Sequence, residues 1–173
     1  DATPATTAVT DTIDTTTVSI TGDAAVAEGA TASYTVSLTS AAQTAVTVNL
    51  SYSGVAADGT DFTGVATVTI AAGSSSANFS IATLQEALAE GAESFTVTLG
   101  SAAGGNFESL VISGANGAAT TSITDDDTPT IAVSSPTVTE GGFAVFTVSL
   151  SNASTTAVVF TPSLTSASAT VGT

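Results

Sequence analysis

The chain has 173 residues, of which 15 are Asp or Glu and none is Lys, Arg or His, so its formal net charge is −15. Nucleic acid and anionic membrane surfaces are excluded as partners, because both are bound through Lys and Arg. The absence of Cys excludes a disulfide framework and a cysteine metal site. At 43% hydrophobic residues the chain is too apolar for a disordered acidic tail, and it contains no apolar run long enough to span a membrane.

The acidic side chains have no basic partner anywhere in the sequence. Two carboxylates about 5 Å apart repel each other by about 3 kcal/mol at an effective dielectric constant of about 20. A cluster of several such groups would therefore cancel much of the net stability of a small domain, which is about 5–15 kcal/mol. Either the acids are spread thinly over the fold, or a cation from outside holds them together.

Short segments of alternating polarity predict β-strands along the chain. Thr31–Leu38, for example, has Tyr34, Val36 and Leu38 on one face and Thr or Ser on the other. Leu84–Ala92 has a helical composition but is short enough to form only a turn. The number and spacing of the strands favour an all-β fold, an immunoglobulin-like Greek-key β-sandwich. The further predicted strands are Ala45–Tyr52, Val65–Ile70, Ala77–Ala82, Ser94–Leu99 and Ala118–Thr124.

An internal repeat predicts the domain boundaries. The sequence of Val26–Ala41 recurs with substitutions as Val138–Ala153, and that of Thr15–Ile20 recurs as Thr128–Val133. A third pair, TAVTV and TAVVF, begins at Thr44 and at Thr156. We therefore expect residues 1–13 to end one repeat, residues 14–127 to form a complete repeat, and residues 128–173 to begin the next in a tandem array. Half a sandwich cannot bury both of its sheets, so the last segment requires either further chain or another copy of the chain.

The order of several sequence strings resembles a known family. VAEGATASYTVSLTSAAQTAVTVNL is followed by GTDF, AAGSSSANFSI, EGAESFTVTL and SITDDDTP. This order is similar to a Calx-β-type domain and to the extender repeats of large bacterial surface adhesins secreted by type I (RTX) systems. The resemblance covers essentially the whole chain and implies a Ca²⁺-binding sandwich, strung end to end and projecting from the cell surface. Family members often carry paired Asp where Leu84 and Gln85 stand here.

Matched to the Calx-β pattern, the acids that follow or precede strands would gather at one end of the sandwich. Three adjacent Asp residues close the last strand of the repeat, and Asp58 lies in an Asp-Gly turn that is common without any metal. The resemblance implies a metal set of Glu28, Asp61, Glu90, Glu93, Asp125, Asp126 and Asp127. Four further candidates are Asp58, Asp11 and Asp14, the last two at the preceding junction, and Glu140 in the next repeat. We interpret Asp23, Glu86 and Glu108 as surface charge.

The available ligands favour Ca²⁺ over other metals. Ca²⁺ takes six to eight oxygen ligands from carboxylates, carbonyls and water, whereas zinc and copper sites use His or Cys, which are absent. The alternative is that these acids are solvated loop charges that keep the surface soluble. Three adjacent Asp residues at a junction, in a chain with no base, favour the calcium interpretation.

The resulting hypothesis is an extracellular, non-enzymatic spacer on a bacterial cell surface, stiffened by Ca²⁺ where repeats meet. Its partners would be neighbouring repeats of the same chain, with no direct membrane contact. Catalysis by Glu90 and Glu93, as in a glycosidase pair, is disfavoured because the chain has no Trp and its few aromatic rings fall on inward strand positions. Direct carbohydrate binding is disfavoured for the same reason. The main alternative is a self-assembling filament or surface layer, in which copies of the chain join by strand donation.

Overall fold

A computed structural model describes residues 7–8, 10 and 12–165, which form strands, turns and bends but no helix. No helix in this described part of the chain could therefore span a membrane. The chain divides into two compact units. The first takes in the residues up to Glu86 and Gly91–Asp126, and the second takes in Ala87–Glu90 and the residues from Asp127 onward.

The described residues of the first unit form ten strands, most of them rich in Thr and Val, since β-branched residues suit a pleated surface. They are β1 (Thr15–Gly22), β2 (Ala25–Ala27), β3 (Thr31–Leu38), β4 (Val46–Gly54), β5 (Phe62–Thr63), β6 (Thr67–Ile70), β7 (Ser76–Thr83), β9 (Glu93–Gly104), β10 (Ser109–Ile112) and β11 (Ala118–Thr124).

Two five-stranded sheets make up this unit, one in the order β10-β1-β3-β7-β5 and the other in the order β2-β11-β9-β4-β6. Most neighbours are antiparallel, but the pairs β1–β10 and β2–β11 are parallel. A register shift between Val48 and Leu50 interrupts the β4–β9 ladder. The connections cross repeatedly from one sheet to the other, and the all-β sandwich predicted from the sequence is confirmed.

The core lies between the two sheets and takes one face of each strand. Phe62 on β5 and Phe95 on β9 stack with their ring centroids 4.2 Å apart, which joins the two sheets directly. Tyr34 is also buried, and its hydroxyl hydrogen-bonds the hydroxyl of Thr121 on the opposite sheet. Desolvation by burial raises the pKa of Tyr34 above its usual 10.

Some predicted strand boundaries were wrong. Thr31–Leu38 and Ala118–Thr124 form strands with the predicted limits. Strand β9 continues beyond the predicted Leu99 to Gly104, because Ala102 and Ala103 still pair with β4. Strand β10 was not predicted, since its half-buried edge position leaves no alternating pattern.

The second unit contains β8 (Leu88–Ala89), β12 (Ile131–Val133), β13 (Val148–Leu150) and β14 (Ala153–Ser154). Strands β12 and β13 pair antiparallel, and β8 pairs parallel with β14. The segment with helical composition, residues 84–92, forms no helix; it contributes the short strand β8 instead.

Candidate metal centre

Parallel pairing of β2 with β11 brings two distant acids to the same edge of a sheet. Ala27, the last residue of β2, is the register partner of Thr124, the last residue of β11. The next residues along the chain are Glu28 and Asp125, so both leave the sheet side by side. The N–H of Glu28 donates to the carbonyl of Thr124 at 3.0 Å, which fixes this arrangement.

The first carboxylate group in the first unit consists of Glu28, Asp125 and Asp126, each offering an oxygen within 4.8 Å of the others. Glu28 and Asp125 are half-buried, and Asp126 is exposed. The N–H of Glu86 donates to Glu28 Oε1 at 3.1 Å, and Gln85 Nε2 donates to Asp126 Oδ1 at 3.1 Å. The segment that follows β7 therefore orients this group through amide donors.

The turn that carries Glu28 is tightly constrained. Gly29 has a φ of +67°, a conformation that residues with a Cβ rarely adopt, and a Cβ there would meet Gln85 Oε1 at 2.7 Å. Thr83 holds the turn from β7: its hydroxyl lies within hydrogen-bond distance of the carbonyls of Ala27 and Ala30. Glycine is thus required both for the backbone conformation and for the approach of Gln85.

Asp61 and Glu93 form a second carboxylate group in the first unit, with oxygens within 4.8 Å of each other. Glu93 begins β9 opposite Ile123, two residues before Asp125, so this pair lies near the same end of the sandwich. Asp61 precedes β5, and its Oδ2 accepts a hydrogen bond from the N–H of Ala57 at 2.6 Å. Its carbonyl accepts from the N–H of Leu84 at 2.9 Å.

Two predicted ligands, Glu90 and Asp127, belong to the second unit. Both are half-buried. In that unit Asp127 Oδ1 accepts a hydrogen bond from Asn152 Nδ2 at 2.8 Å. In the sequence Asp127 directly follows Asp126, and Glu90 precedes Glu93 by three residues.

The spacing of the oxygens matches the coordination requirements of Ca²⁺. Two oxygens that bind the same Ca²⁺ at about 2.4 Å lie at most about 4.8 Å apart, the limit that both groups satisfy. Without a cation, each pair of carboxylates at that distance repels by about 3 kcal/mol at an effective dielectric constant of about 20. Carboxylate oxygens, backbone carbonyls and water suit a hard cation such as Ca²⁺.

The three additional candidates that the structure describes, Asp14, Asp58 and Glu140, lie outside these two groups. Asp58 Oδ1 accepts a hydrogen bond from the N–H of Gly64 at 2.7 Å, which closes its own loop. Asp14 is exposed, and its N–H donates to Glu108 Oε2 at 2.8 Å. Glu140 is exposed in the second unit, and Asp11 lies outside the described residues.

The contacts of Gln85 and Glu86 were missed by the sequence reasoning. Glu86 is exposed, as surface charge would be, and it is its backbone N–H that contacts Glu28. The one feature of the sequence that marks this segment is a departure from the Calx-β resemblance, which implies paired Asp where Leu84 and Gln85 stand. Two other acids interpreted as surface charge also bind the backbone, since Asp23 Oδ2 accepts from the N–H of Ser33 and Glu108 accepts from Asp14.

Comparison with known families identifies the first unit. The model of the LapA domain family matches residues 14–126, well over half of the chain. The chain belongs to the LapA domain family. This LapA domain spans the two sheets and contains Glu28, Asp61, Glu93, Asp125 and Asp126.

Solved structures share the fold of this LapA domain. The apo-form Calx CBD1 domain matches 65% of the chain and 98% of its own length, with a TM-score of 0.56 and 23% identity. CBD12 from CALX1.2 has a TM-score of 0.55 and 23% identity over 64% of the chain, which spans 46% of CBD12. A third structure, described as the calcium binding domain CBD12 of CALX1.1, has a TM-score of 0.51 and 25% identity over 61% of the chain and 42% of its own length. No curated protein matches the chain.

Proposed function

We propose that residues 14–126 form a Ca²⁺-binding spacer module of a bacterial cell-surface adhesin. The observation that carries this proposal is the convergence of Glu28, Asp125 and Asp126 to within 4.8 Å in a chain with no basic side chain. Membership of the LapA domain family supports an adhesin context. The calcium-binding description of one structural neighbour supports the choice of ion.

The first unit contributes three carboxylates to one group and two to the other. Ca²⁺ takes six to eight ligands, some of them carbonyls and waters. We propose that Asp127 joins the group of Glu28, Asp125 and Asp126, and that Glu90 joins Asp61 and Glu93. Both assignments rest on adjacency in the sequence and on the chemistry of the carboxylate.

Binding at Asp125–Asp127 would stiffen the chain where one repeat leads into the next. Three consecutive Asp residues repel each other, so without a cation the linker favours extended and variable conformations. A Ca²⁺ ion that binds the linker and Glu28 together fixes the linker to the end of the sandwich. A row of such modules would then hold an adhesive tip away from the cell.

A variant of the first group tests the binding site. We expect the change Asp125→Asn to weaken Ca²⁺ binding at least tenfold in calorimetric titration of the full chain, because it removes a charged ligand. Glu108→Gln is the matched control, since it removes one charge outside both groups and retains an acceptor for the N–H of Asp14. Equal affinities for the two variants would overturn the assignment.

The adhesin context has its own test. Intact bacteria that produce the protein should be labelled by an antibody against residues 14–126, and external protease should remove the labelling. Labelling only after cell lysis would contradict a surface location. Secretion by a type I (RTX) system stays a prediction, which this experiment does not test.

A further inference from the structure

The second unit exposes the side chains whose counterparts form the core of the first unit. Aligning Thr128–Val133 with Thr15–Ile20, and residues 138–160 with residues 26–48, relates the two units position by position. Seven core positions of the first unit are at most 7% exposed, whereas their counterparts in the second unit are 38–57% exposed. The pairs are Val18 and Ile131, Ile20 and Val133, Tyr34 and Phe146, Val36 and Val148, Leu38 and Leu150, Val46 and Val158, and Val48 and Phe160.

The second unit also reproduces one strand pairing of the first, that of β1 with β3. In the first unit Val18 pairs with Leu38 and Ile20 with Val36. In the second unit their counterparts pair in the same register, Ile131 with Leu150 and Val133 with Val148. Four of the seven exposed side chains, those of Ile131, Val133, Val148 and Leu150, therefore belong to a strand pair with the register of the first unit.

A flanking hydrogen-bond pair recurs as well. In the first unit the N–H of Thr39 donates to the carbonyl of Thr17, and the N–H of Thr17 donates to the hydroxyl of Thr39. In the second unit Ser151 and Thr130 exchange the same two bonds, both at 2.9 Å. The strand register and the hydrogen bonds that flank it therefore agree between the two units up to the end of this strand pair.

Four of the seven exposed side chains line one groove on the second unit. The groove has a volume of about 610 Å³ and is lined by Val133, Phe146, Val148 and Phe160 together with residues 161–164. In the first unit the equivalent side chains are covered by residues from the second half of the repeat, such as Ile81 on β7 and Val97 on β9. No strand among the described residues 127–165 corresponds to β7 or β9.

We infer that this groove binds a polypeptide with the strand pattern of the second half of the repeat, residues 62–126. The occupant presents alternating Val, Ile and Phe side chains, as β6, β7 and β9 do in the first unit. A second copy of the chain is the weaker candidate, because its residues 62–126 are already paired within its own first unit. Binding completes a second sandwich and buries all seven exposed side chains.

The test uses the full chain and a separate polypeptide with the sequence of residues 62–126. We expect the polypeptide to bind and to slow amide hydrogen exchange across Val148–Leu150. Val148→Asp should weaken binding at least tenfold, because it places a carboxylate in the new core. Ser149→Asp, on the opposite face of the same strand, is the matched control and should bind as the unchanged chain does. A polypeptide carrying Ile81→Asp and Val97→Asp should not bind.

If the free polypeptide aggregates, the same inference can be tested with a single fused chain. The sequence of residues 62–126 is then attached after Thr173 through a flexible Gly/Ser linker, and exchange across Val148–Leu150 is measured again. Slower exchange in the fused chain supports the inference, and unchanged exchange overturns it. Self-association of the unmodified chain that Val148→Asp abolishes would also overturn it, in favour of a second copy. Because calcium is not the readout, failure here is distinguishable from failure of the proposed calcium site.

Discussion

At the scale of single residues, Gly29 connects the fold to the candidate metal site. Replacing it with Ala forces a Cβ into a φ of +67° and against Gln85, 2.7 Å away. We expect Gly29→Ala to lower the free energy of unfolding by about 1–2 kcal/mol and also to weaken Ca²⁺ binding, because Gln85 contacts Asp126. Urea unfolding and calcium titration measure the two effects.

Gly73→Ala is the matched control for this substitution. Gly73 has a φ of +81°, but a Cβ there would contact nothing within 4 Å. The control should lose a similar amount of stability and keep the Ca²⁺ affinity of the unchanged chain. Loss of affinity in both variants, or in neither, would contradict the role assigned to the turn of Glu28.

The buried hydroxyl of Tyr34 predicts a pH dependence of stability. Burial raises the pKa of Tyr34 above its unfolded value of about 10, so the folded state binds this proton more tightly than the unfolded state. The associated stability is present below pH 10 and is lost as the pH rises through the folded pKa. We expect Tyr34→Phe to reduce this alkaline loss in urea unfolding, and an unchanged pH profile would contradict the assignment. A residual dependence should remain, because burial also raises the pKa of Tyr52.

The sequence predicts the individual candidate ligands better than it predicts the groups that hydrogen-bond to them and orient them. An acid directly after a strand, such as Asp125, can be found from the pattern alone. The amide donors from Gln85 and Glu86 cannot, because their contacts depend on where the segment after β7 lies relative to residues about 40 and 60 positions away. For Asp58 the local pattern is informative. An Asp-Gly pair is typical of a turn, and Asp58 closes its own loop by accepting a hydrogen bond from the N–H of Gly64.

At the scale of elements, the contact of β5 with β9 joins the two sheets. Phe95 is fully buried and stacks on Phe62 with the ring centroids 4.2 Å apart. We expect Phe95→Ala to lower the free energy of unfolding by about 3–5 kcal/mol, through lost burial and the cavity that remains. Val111→Ala on β10, where the side chain is 42% exposed, should cost about 0.5 kcal/mol or less. Urea unfolding in calcium measures both, and a similar loss for both variants would contradict this account of the core.

Strand positions follow from alternation, but strand partners do not. The period-two pattern predicted β3 and β11 because each has one buried and one polar face. The parallel pairing of β2 with β11, which brings Glu28 beside Asp125, joins residues almost 100 positions apart. Local pattern carries no information about such pairing; only the family resemblance implied that these acids converge.

At the scale of the whole molecule, a net charge of −15 predicts a strong effect of salt. Dissolved salt screens repulsion between exposed charges over a Debye length of about 10 Å at 0.1 M. In chelator, we expect the melting temperature to rise when KCl is increased from 0.05 to 0.5 M. In saturating Ca²⁺ the rise should be smaller, because bound ions already offset the repulsion. Equal salt dependence in both conditions would contradict cation binding by the carboxylate groups.

If the carboxylate groups of the LapA domain bind Ca²⁺, the ion should raise the melting temperature of the full chain. The melting temperature is recorded in excess chelator, in millimolar Ca²⁺ and in millimolar Mg²⁺. At 100 times the dissociation constant, one site adds about 2.7 kcal/mol to the free energy of unfolding, equivalent to a rise of roughly 10 °C in a domain of about 100 residues. We expect a rise of at least that size in Ca²⁺ and a much smaller one in Mg²⁺, which prefers six ligands at shorter distances. The same melting temperature in all three conditions would mean that the converging acids are only solvated charges.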